Sequence, residues 1–324
     1  VSPDGTTVFI TGSSRGTESG CDFSGDGQRP NDPGVLTLPC SDFATIAYVA
    51  SSGAQLWVMR FNGPRALNDE ARALGVSPDG SKVFVTGASE TFQMTDDYAT
   101  VAYAAATGVQ LWTKRYGSLG LGDDRPFSLD VAPDGSKVFV TGRSQATDES
   151  DFDFATVAYG AAGGATLWAK RFDGPGDSAD DAGESVAASP DGSTVFVTGG
   201  SRESSRLAQF ITIAYDSTSG ATRWLNSYSR GNSGGQVVGV SPDGGTVFVA
   251  GICYWSSSNF DVCTLGIGAG SGDRLWESRY NGTPQSDDYV QDLRVSPDGS
   301  KVFVGGSTWK MANGDYATAA ISTS

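Results

Sequence analysis

Acidic pairs are the side chains of this sequence whose type and spacing could do chemistry. Paired carboxylates can bind calcium, which takes about six to eight oxygen ligands, or act as acid and base on a glycosidic bond. In a third role, each carboxylate accepts hydrogen bonds from backbone amides of its own turn or of a neighbouring unit. Each pair precedes an apolar segment, and the pairs are Asp69 with Glu70, Asp123 with Asp124, Asp180 with Asp181, and Asp287 with Asp288. The three roles stay open, and the candidate metal ligands are Asp123, Asp124, Asp180, Asp181, Asp287 and Asp288.

Aromatic residues in polar stretches are the second chemical feature. The segments "CYWSSSNFDVC" and "STWKMANGDY" carry Tyr254, Trp255 and Trp309. The apolar face of an aromatic ring suits stacking against a sugar ring. The same residues could instead fold back over the rim of the protein. We treat Tyr254, Trp255 and Trp309 as candidate ligand-binding residues.

The residue types disfavour most catalytic mechanisms. The chain has no histidine, so neither a Ser-His-Asp nor a Cys-His arrangement can form. None of the glycine-rich stretches has the spacing of a phosphate-binding P-loop. The sequence therefore leans against an enzyme, and only carboxylate-based catalysis remains as a candidate.

The four cysteines form two pairs that are close in sequence. Cys21 lies near Cys40, and Cys253 lies near Cys263. Neither pair has the C-x-x-C spacing of a zinc site, and histidine ligands are absent. We expect two disulfides, Cys21–Cys40 and Cys253–Cys263, and therefore an oxidising, extracellular or cell-surface location.

Charge and hydropathy narrow the range of partners. The net charge of −15 disfavours nucleic acid and anionic membrane surfaces, and leaves cations and neutral glycans. No apolar run approaches the roughly 18 residues of a membrane-spanning helix. We expect no nucleic-acid partner and no membrane insertion.

A repeat positions all of these residues. The dozen residues "VSPDGSKVFVTG" recur with small changes six times, and their prolines are separated by 75, 55, 57, 52 and 55 residues. A period of this length indicates one supersecondary unit repeated along a single domain, here 1–324. Each unit contains short segments rich in Val, Phe, Tyr, Thr and Trp between turn residues, which predicts four antiparallel strands, A to D.

The second strand of each unit reads Val-Phe-Val, so both of its faces must be buried. Small sheets that stand face to face around an axis bury both faces. The pattern predicts an all-β, six-bladed β-propeller of four-stranded antiparallel blades, with about 23 strands because the last blade lacks its outer strand. Either further residues or a neighbouring molecule would cover that open edge. Tryptophans that recur in strand D should pack between blades; they are Trp57, Trp112, Trp168, Trp224 and Trp276.

Sequence irregularity collects in the B–C and D–A connections, which share one face of the disc. We call this face the loop face, and the face of the A–B and C–D turns the turn face. The first B–C connection is much the longest and forms a predicted loop insertion over 13–41. Long ordered loops are often functional, so the loop face is the expected location of a site.

The repeats resemble known bacterial families. "AYDSTSGATRW" is similar to the docking pattern of quinoprotein-type propeller repeats, and "SPDGSKVFVTG" resembles the YVTN-type repeats of surface-layer proteins. "DYATVAY…LWTKRYGS" resembles the bacterial secreted β-propeller repeat. The resemblance implies a propeller fold. It does not imply pyrroloquinoline quinone, because the adjacent cysteine pair beside that cofactor is missing here.

These patterns predict a secreted or cell-surface propeller that acts as a binding or scaffold module. Its ligand, a glycan or an extracellular protein, would bind on the loop face. No cofactor is required, and calcium is the ion that the acidic pairs could hold as a stabiliser. Two alternatives stay open. One is a carboxylate-dependent glycoside hydrolase or polysaccharide lyase, and the other is a structural subunit that self-associates through the last blade.

Overall fold

The computed structural model describes residues 1–21, 38–63, 67–91, 95–117, 122–145, 151–174, 180–202, 208–256, 259–282, 286–310 and 313–323. For residues 16–21, 38–39, 255–256, 310 and 313 it describes the backbone alone. Every regular element in these ranges is a β-strand. No helix in this part of the chain is long and apolar enough to cross a membrane.

The 22 strands of the described ranges form six antiparallel sheets, which are the six blades of a β-propeller. Blade 1 contains β1 (Thr7–Cys21), β2 (Leu38–Val49) and β3 (Gln55–Phe61). Blade 2 contains β4 (Asp69–Val76), β5 (Lys82–Glu90), β6 (Asp96–Ala104) and β7 (Gln110–Tyr116). Blade 3 contains β8 (Asp124–Val131), β9 (Lys137–Gln145), β10 (Phe152–Gly160) and β11 (Thr166–Phe172). Blade 4 contains β12 (Asp181–Ala188), β13 (Thr194–Ser201), β14 (Gln209–Asp216) and β15 (Thr222–Tyr228). Blade 5 contains β16 (Gly234–Val240), β17 (Thr246–Ser256), β18 (Asn259–Gly268) and β19 (Arg274–Tyr280). Blade 6 contains β20 (Asp287–Val295), β21 (Lys301–Lys310) and β22 (Asn313–Ser322).

The Val-Phe-Val segments confirm the prediction that strand B is buried on both faces. In blade 2, Val83, Phe84 and Val85 are all fully buried. Val83 and Val85 pack towards blade 1, whereas Phe84 packs towards blade 3. Because each blade offers both faces in this way, the apolar core consists of layers between neighbouring blades.

The recurring tryptophans pack between neighbouring blades, as predicted from the sequence. The indole Nε1 of Trp112 in blade 2 donates a hydrogen bond of 3.1 Å to the carbonyl oxygen of Ala161 in blade 3. Trp168 makes the same bond, at 3.0 Å, to Ser217 of blade 4. Each such tryptophan combines burial of a large apolar surface with a satisfied polar group.

The Pro-Asp-Gly turns fold for local reasons. In blade 2, Asp79 accepts hydrogen bonds from the hydroxyl of Ser77 and from the backbone amide of Ser81, and these lower the pKa of Asp79 to about 2. Gly80 follows with φ = 68°, a conformation that glycine adopts without strain. The turn thus closes the A–B hairpin with bonds between its own residues.

The terminal blades have three strands each in the described ranges. Within the described ranges, blade 6 has no strand outside β22, as predicted. Blade 1 has no strand inside β1 in the same ranges, which therefore hold 22 strands, one fewer than the predicted total of about 23. The face of blade 1 that carries Ile10 and the face of blade 6 that carries Phe303 are exposed to solvent. Ile10 is 48% exposed and Phe303 is 41% exposed.

The predicted loop 13–41 is shorter than expected. β1 continues to Cys21 and β2 starts at Leu38, with Arg15 opposite Ser41 and Cys21 opposite Leu38. Backbone pairing does not need an apolar side-chain pattern, so this extension was not visible in the sequence. Residues 22–37 lie outside the described ranges.

Candidate functional site

Strand A begins and strand B ends on the loop face, so the acidic pairs gather there. Asp124 and Asp181 occupy the first position of strand A and Asp288 the second, and all three are at most 1% exposed. The backbone amide of Gly282 donates a hydrogen bond of 2.8 Å to Asp288 Oδ2. In blade 2 the equivalent residue is Asp69, which accepts a bond of 2.6 Å from the amide of Gly63. These carboxylates therefore hold the D–A connection of their own repeat.

The residue before that aspartate connects two blades. Asp123 Oδ1 accepts a hydrogen bond of 3.0 Å from the backbone amide of Asp96, at the start of strand C in the preceding blade. Asp287 accepts the equivalent bond of 3.0 Å from Phe260. Both positions of the pair thus accept hydrogen bonds from backbone amides, which is the third of the three roles considered from the sequence. Glu70 does not share this geometry, because it is exposed and pairs with Arg72 at 2.8 Å.

Burial perturbs the acidity of these groups. Desolvation raises the pKa of Asp181 to about 6, although hydrogen bonds from Ser201 and the amide of Gly174 oppose the shift. Oxygens of Asp153, Asp173 and Asp181 lie within 4.8 Å of one another. Asp153 already forms an ion pair of 2.7 Å with Arg171, and Asp181 also accepts from the amide of Arg202. Calcium at the predicted ligands stays a prediction.

A pocket of about 360 Å³ opens on the loop face between blades 4 and 5. Its walls come from the starts of β12 and β16, the ends of β13 and β17, and the starts of β14 and β18. The volume falls within the range of about 300–1,000 Å³ that is typical of small-molecule sites. One of the predicted residues, Asp180, lines this pocket; the other walls include Glu184, Arg202, Asn232, Gln236, Ile252 and Phe260.

Glycines at this junction explain why it is open. Gly234 in β16 occupies the repeat position that Arg125 occupies in β8. Arg125 fills the junction between blades 2 and 3 and pairs with Asp96 at 2.9 Å and with Asp123 at 3.1 Å. Gly234 has no side chain to fill the equivalent space and lies next to Gly200, which also lines the pocket. The loss of an acidic pair in this repeat, where Asn232 and Ser233 stand instead, accompanies the opening.

The pocket offers hydrogen-bonding groups of both kinds. Carboxylates of Asp180 and Glu184 can accept, and the guanidinium of Arg202 can donate. Gln236 Oε1 is buried and has no hydrogen-bond partner among the described residues. Leaving such an acceptor unpaired costs free energy.

One aromatic residue lines the pocket, and two further rings pack against it. Phe260 lines the pocket, and its ring packs edge-on against Tyr254, with centroids 5.1 Å apart. Tyr289 adds a third ring, 6.1 Å from Phe260. The predicted residue Tyr254 thus adjoins the pocket through Phe260. It lies in β17 rather than in a loop, because the B–C hairpin of blade 5 continues to Ser256.

The other two predicted aromatics lie elsewhere or outside the description. Trp309 stands in β21, opposite Asp287, and is 49% exposed. It does not line the pocket. The side chain of Trp255 lies outside the described residues, so its predicted role stays untested.

One predicted disulfide is confirmed. Cys253 and Cys263 are bonded, and both are buried in the hairpin that carries Tyr254 and Phe260. The crosslink therefore restrains one wall of the pocket. Cys40 is also disulfide-bonded, but the side chain of Cys21, its predicted partner, lies outside the described residues.

Grooves on the turn face have a different character. One of about 460 Å³ lies between the turns of blades 4 and 5, and another of about 260 Å³ lies between those of blades 1 and 2. Both are lined by the same repeat positions, such as Asp191 and Asp4. Asp191 already bonds the amide of Ser193 in its own turn. These grooves are thus features of the repeat rather than of one junction.

Most residues of the pocket were not identified from the sequence. Phe260 lies within the segment "NFDVC" without a distinguishing pattern, Gly200 and Gly234 have no side chains, and nothing in the sequence singles out Gln236. The one signal available was the absence of an acidic pair before the fifth repeat, in "SRGNSGGQVVGV". The sequence thus indicates the pocket by a residue pair that is missing from one repeat, and not by a residue that recurs.

Comparisons with known proteins support the fold. Neither a scan against protein-family models nor a search of the curated proteins finds a match. The solved structure of the Dos1 propeller is similar, with a TM-score of 0.52 and 14% identity over 85% of this chain and 64% of that chain. Sqt1 from Chaetomium thermophilum is similar with a TM-score of 0.57 and 13% identity, over 89% of this chain and 70% of that chain. The protein is a β-propeller that spans just under two thirds of the Dos1 chain.

Proposed function

We propose that this propeller is a binding module whose ligand is a neutral glycan, held in the pocket between blades 4 and 5. The observation that carries the proposal is the pocket itself, at the junction where Ala208, Asn232 and Gly234 stand at the positions of Asp96, Asp123 and Arg125. A junction that side chains fill stabilises the packing of two blades. An open junction lined by polar groups has space for a ligand.

The lining favours a polyhydroxylated ligand over an anion. Asp180 and Glu184 outnumber the single cation, Arg202, and the whole chain carries a charge of −15. Such a field repels acidic ligands. Sugar hydroxyls can both donate to carboxylates and accept from a guanidinium, and the ring of Phe260 gives them an apolar surface.

A secreted or cell-surface location is part of this proposal. The Cys253–Cys263 disulfide supports it, because structural disulfides persist in oxidising compartments. A glycan on a cell surface or in an extracellular matrix would meet the protein there.

An array of neutral and charged oligosaccharides tests the proposal. We expect the wild-type protein to capture neutral glycans, and Phe260→Ala and Gln236→Ala each to weaken capture. Trp309→Ala is the matched control, because Trp309 is an aromatic residue outside the pocket. Failure to capture any neutral glycan, or equal capture by all variants, would refute the proposed ligand.

A glycan-cleaving enzyme is the second candidate, since two carboxylates line the same pocket. Desolvation by the surrounding protein raises the pKa of Glu184, and the charge of Arg143 opposes this shift. The side chain of Glu184 nevertheless reaches solvent. A raised pKa suits a general acid. Release of new reducing ends from a captured glycan, abolished in Glu184→Gln, would favour this candidate over simple binding.

A further inference from the structure

The junction between blades 5 and 6 differs from the junction between blades 2 and 3 at two repeat positions on the loop face. At the junction of blades 2 and 3 these positions hold Asp96 and Arg125, which form an ion pair of 2.9 Å. At the junction of blades 5 and 6 the same positions hold Phe260 and Tyr289. Two aromatic rings therefore replace an ion pair.

The two rings belong to a cluster of three. The ring centroids of Phe260 and Tyr289 are 6.1 Å apart, and Tyr254 packs edge-on against Phe260 at 5.1 Å. All three side chains are half-buried, so part of each reaches solvent. We call Tyr254, Phe260 and Tyr289 the aromatic platform.

The aromatic platform adjoins the pocket between blades 4 and 5. Phe260 belongs to both, because it lines the pocket and also packs against the other two rings. Tyr289 lies beyond Phe260, on blade 6, and does not line the pocket. A ligand that extends from the pocket across Phe260 would therefore meet Tyr289 next.

Hydrogen bonds hold the two sides of the platform together. The backbone amide of Phe260 donates to Asp287 Oδ1 at 3.0 Å, and Asn259 Nδ2 donates to the carbonyl oxygen of Ser286 at 3.0 Å. The Cys253–Cys263 disulfide restrains the hairpin that carries Tyr254 and Phe260. The rings are thus held in place before a ligand arrives, which lowers the entropic cost of binding.

The chemistry of the platform suits sugar rings. The faces of Phe260 and Tyr289 offer apolar surface to the C–H groups of a sugar, and their spacing of 6.1 Å is comparable with the length of one sugar unit. Desolvation and the charge of Asp287 raise the pKa of Tyr289, so its hydroxyl stays protonated and can donate a hydrogen bond. The same aspartate disfavours an acidic sugar at this point.

We infer that the pocket and the aromatic platform form one extended site, and that its ligand is a neutral glycan of several sugar units. One end of the glycan occupies the pocket, and the following units stack on Phe260 and Tyr289. Tyr289 then determines the preferred length of the ligand. This inference rests on the proposed function and adds to it the size of the ligand and a second contact region.

Calorimetric titration with unbranched neutral oligosaccharides of the type best captured on the array, from the disaccharide to the hexasaccharide, tests the inference. We expect the affinity of the wild-type protein to rise at least about fivefold along the series. Tyr289→Ser should abolish this rise and leave the affinity for the disaccharide within about twofold. Tyr289→Phe keeps the ring and should keep most of the rise.

Tyr48→Ser is the matched control, because Tyr48 is also half-buried but lies in blade 1, near the turn face. It should keep the full rise, and thermal melts check that each variant stays folded. Equal affinity of the wild-type protein for all lengths would overturn this inference and leave the proposed function standing. The inference also fails if Tyr289→Ser keeps the rise or weakens every length equally. Absence of binding at every length would overturn both proposals.

Discussion

The junction between blades 2 and 3 and the junction between blades 4 and 5 are built from the same repeat positions and have opposite characters. At the first, Arg125 fills the loop-face space and pairs with Asp96 and Asp123. At the second, Gly234 and Asn232 leave a pocket of about 360 Å³. The comparison teaches that the scaffold tolerates an empty position without losing its blade contacts. Function can therefore arise at one junction by deletion of side chains.

The tryptophan layer is what the two junctions share, and its removal should have the largest effect. Trp112→Ala at the closed junction should cost about 3–5 kcal/mol, because it removes a buried ring and its hydrogen bond to Ala161. Trp224→Ala at the open junction should fall near the lower limit, because Trp224 is only partly buried even though it bonds Ala269 at 2.8 Å.

Urea unfolding of both tryptophan variants gives the measurement. A loss below about 1 kcal/mol at Trp112 would show that this ring does not stabilise the blade contact. A larger loss at Trp224 than at Trp112 would show that the open junction depends more on its indole.

Protonation of Asp96 at the closed junction should change the free energy of unfolding by a smaller amount. Burial raises the pKa of Asp96 to about 6, and Asp123 adds to the shift while Arg125 opposes it. The folded state therefore binds this proton more tightly than the unfolded chain, whose aspartates titrate near pH 3.9. Stability from this group is present in full at low pH and is lost as pH rises from about 4 to about 6.

The open junction has Ala208 at the position of Asp96. Asp96→Ala should thus flatten the pH dependence of unfolding between about pH 4 and 6, by an amount on the order of 2 kcal/mol. Urea unfolding at several pH values measures the slope. An unchanged slope in the variant would mean that Asp96 titrates normally.

The smallest effect is expected from metal removal. The carboxylates of Asp69, Asp181 and Asp288 already accept hydrogen bonds from backbone amides, so a chelator should leave the melting temperature unchanged. A drop that calcium reverses would contradict this and assign a cation site. Asp173→Asn would then show whether the cluster with Asp153 and Asp181 holds the ion.

The propeller could be predicted from the sequence because its causes are local and repeated. Val-Phe-Val in strand B, the Pro-Asp-Gly turns and the tryptophans of strand D each recur, so every copy of the repeat points to the same fold. The pocket could not be predicted in this way. It depends on side chains that are missing, at Gly200 and Gly234, and on residues from two blades that meet only in space.

The aromatic candidates illustrate the same limit. Tyr254 and Trp309 were equivalent in the sequence, since both stood outside the recurring packing positions. The fold brings Tyr254 to Phe260 beside the pocket and leaves Trp309 on blade 6. Tyr254 and Trp309 can be distinguished only once the pairing of their strands is known.

Filling the pocket is the measurement that tests the central claim most directly. Gly234→Arg restores the side chain of the closed junction, and an added Cβ would meet Gly200 at an ordinary 3.6 Å. Gly163→Arg, on an exposed turn with open space around it, is the control for the added charge. We predict that calorimetric titration with the glycan best captured on the array shows full affinity for wild type and Gly163→Arg, and at least about a tenfold loss for a folded Gly234→Arg. Undiminished affinity in Gly234→Arg would place the ligand outside the pocket and contradict the account.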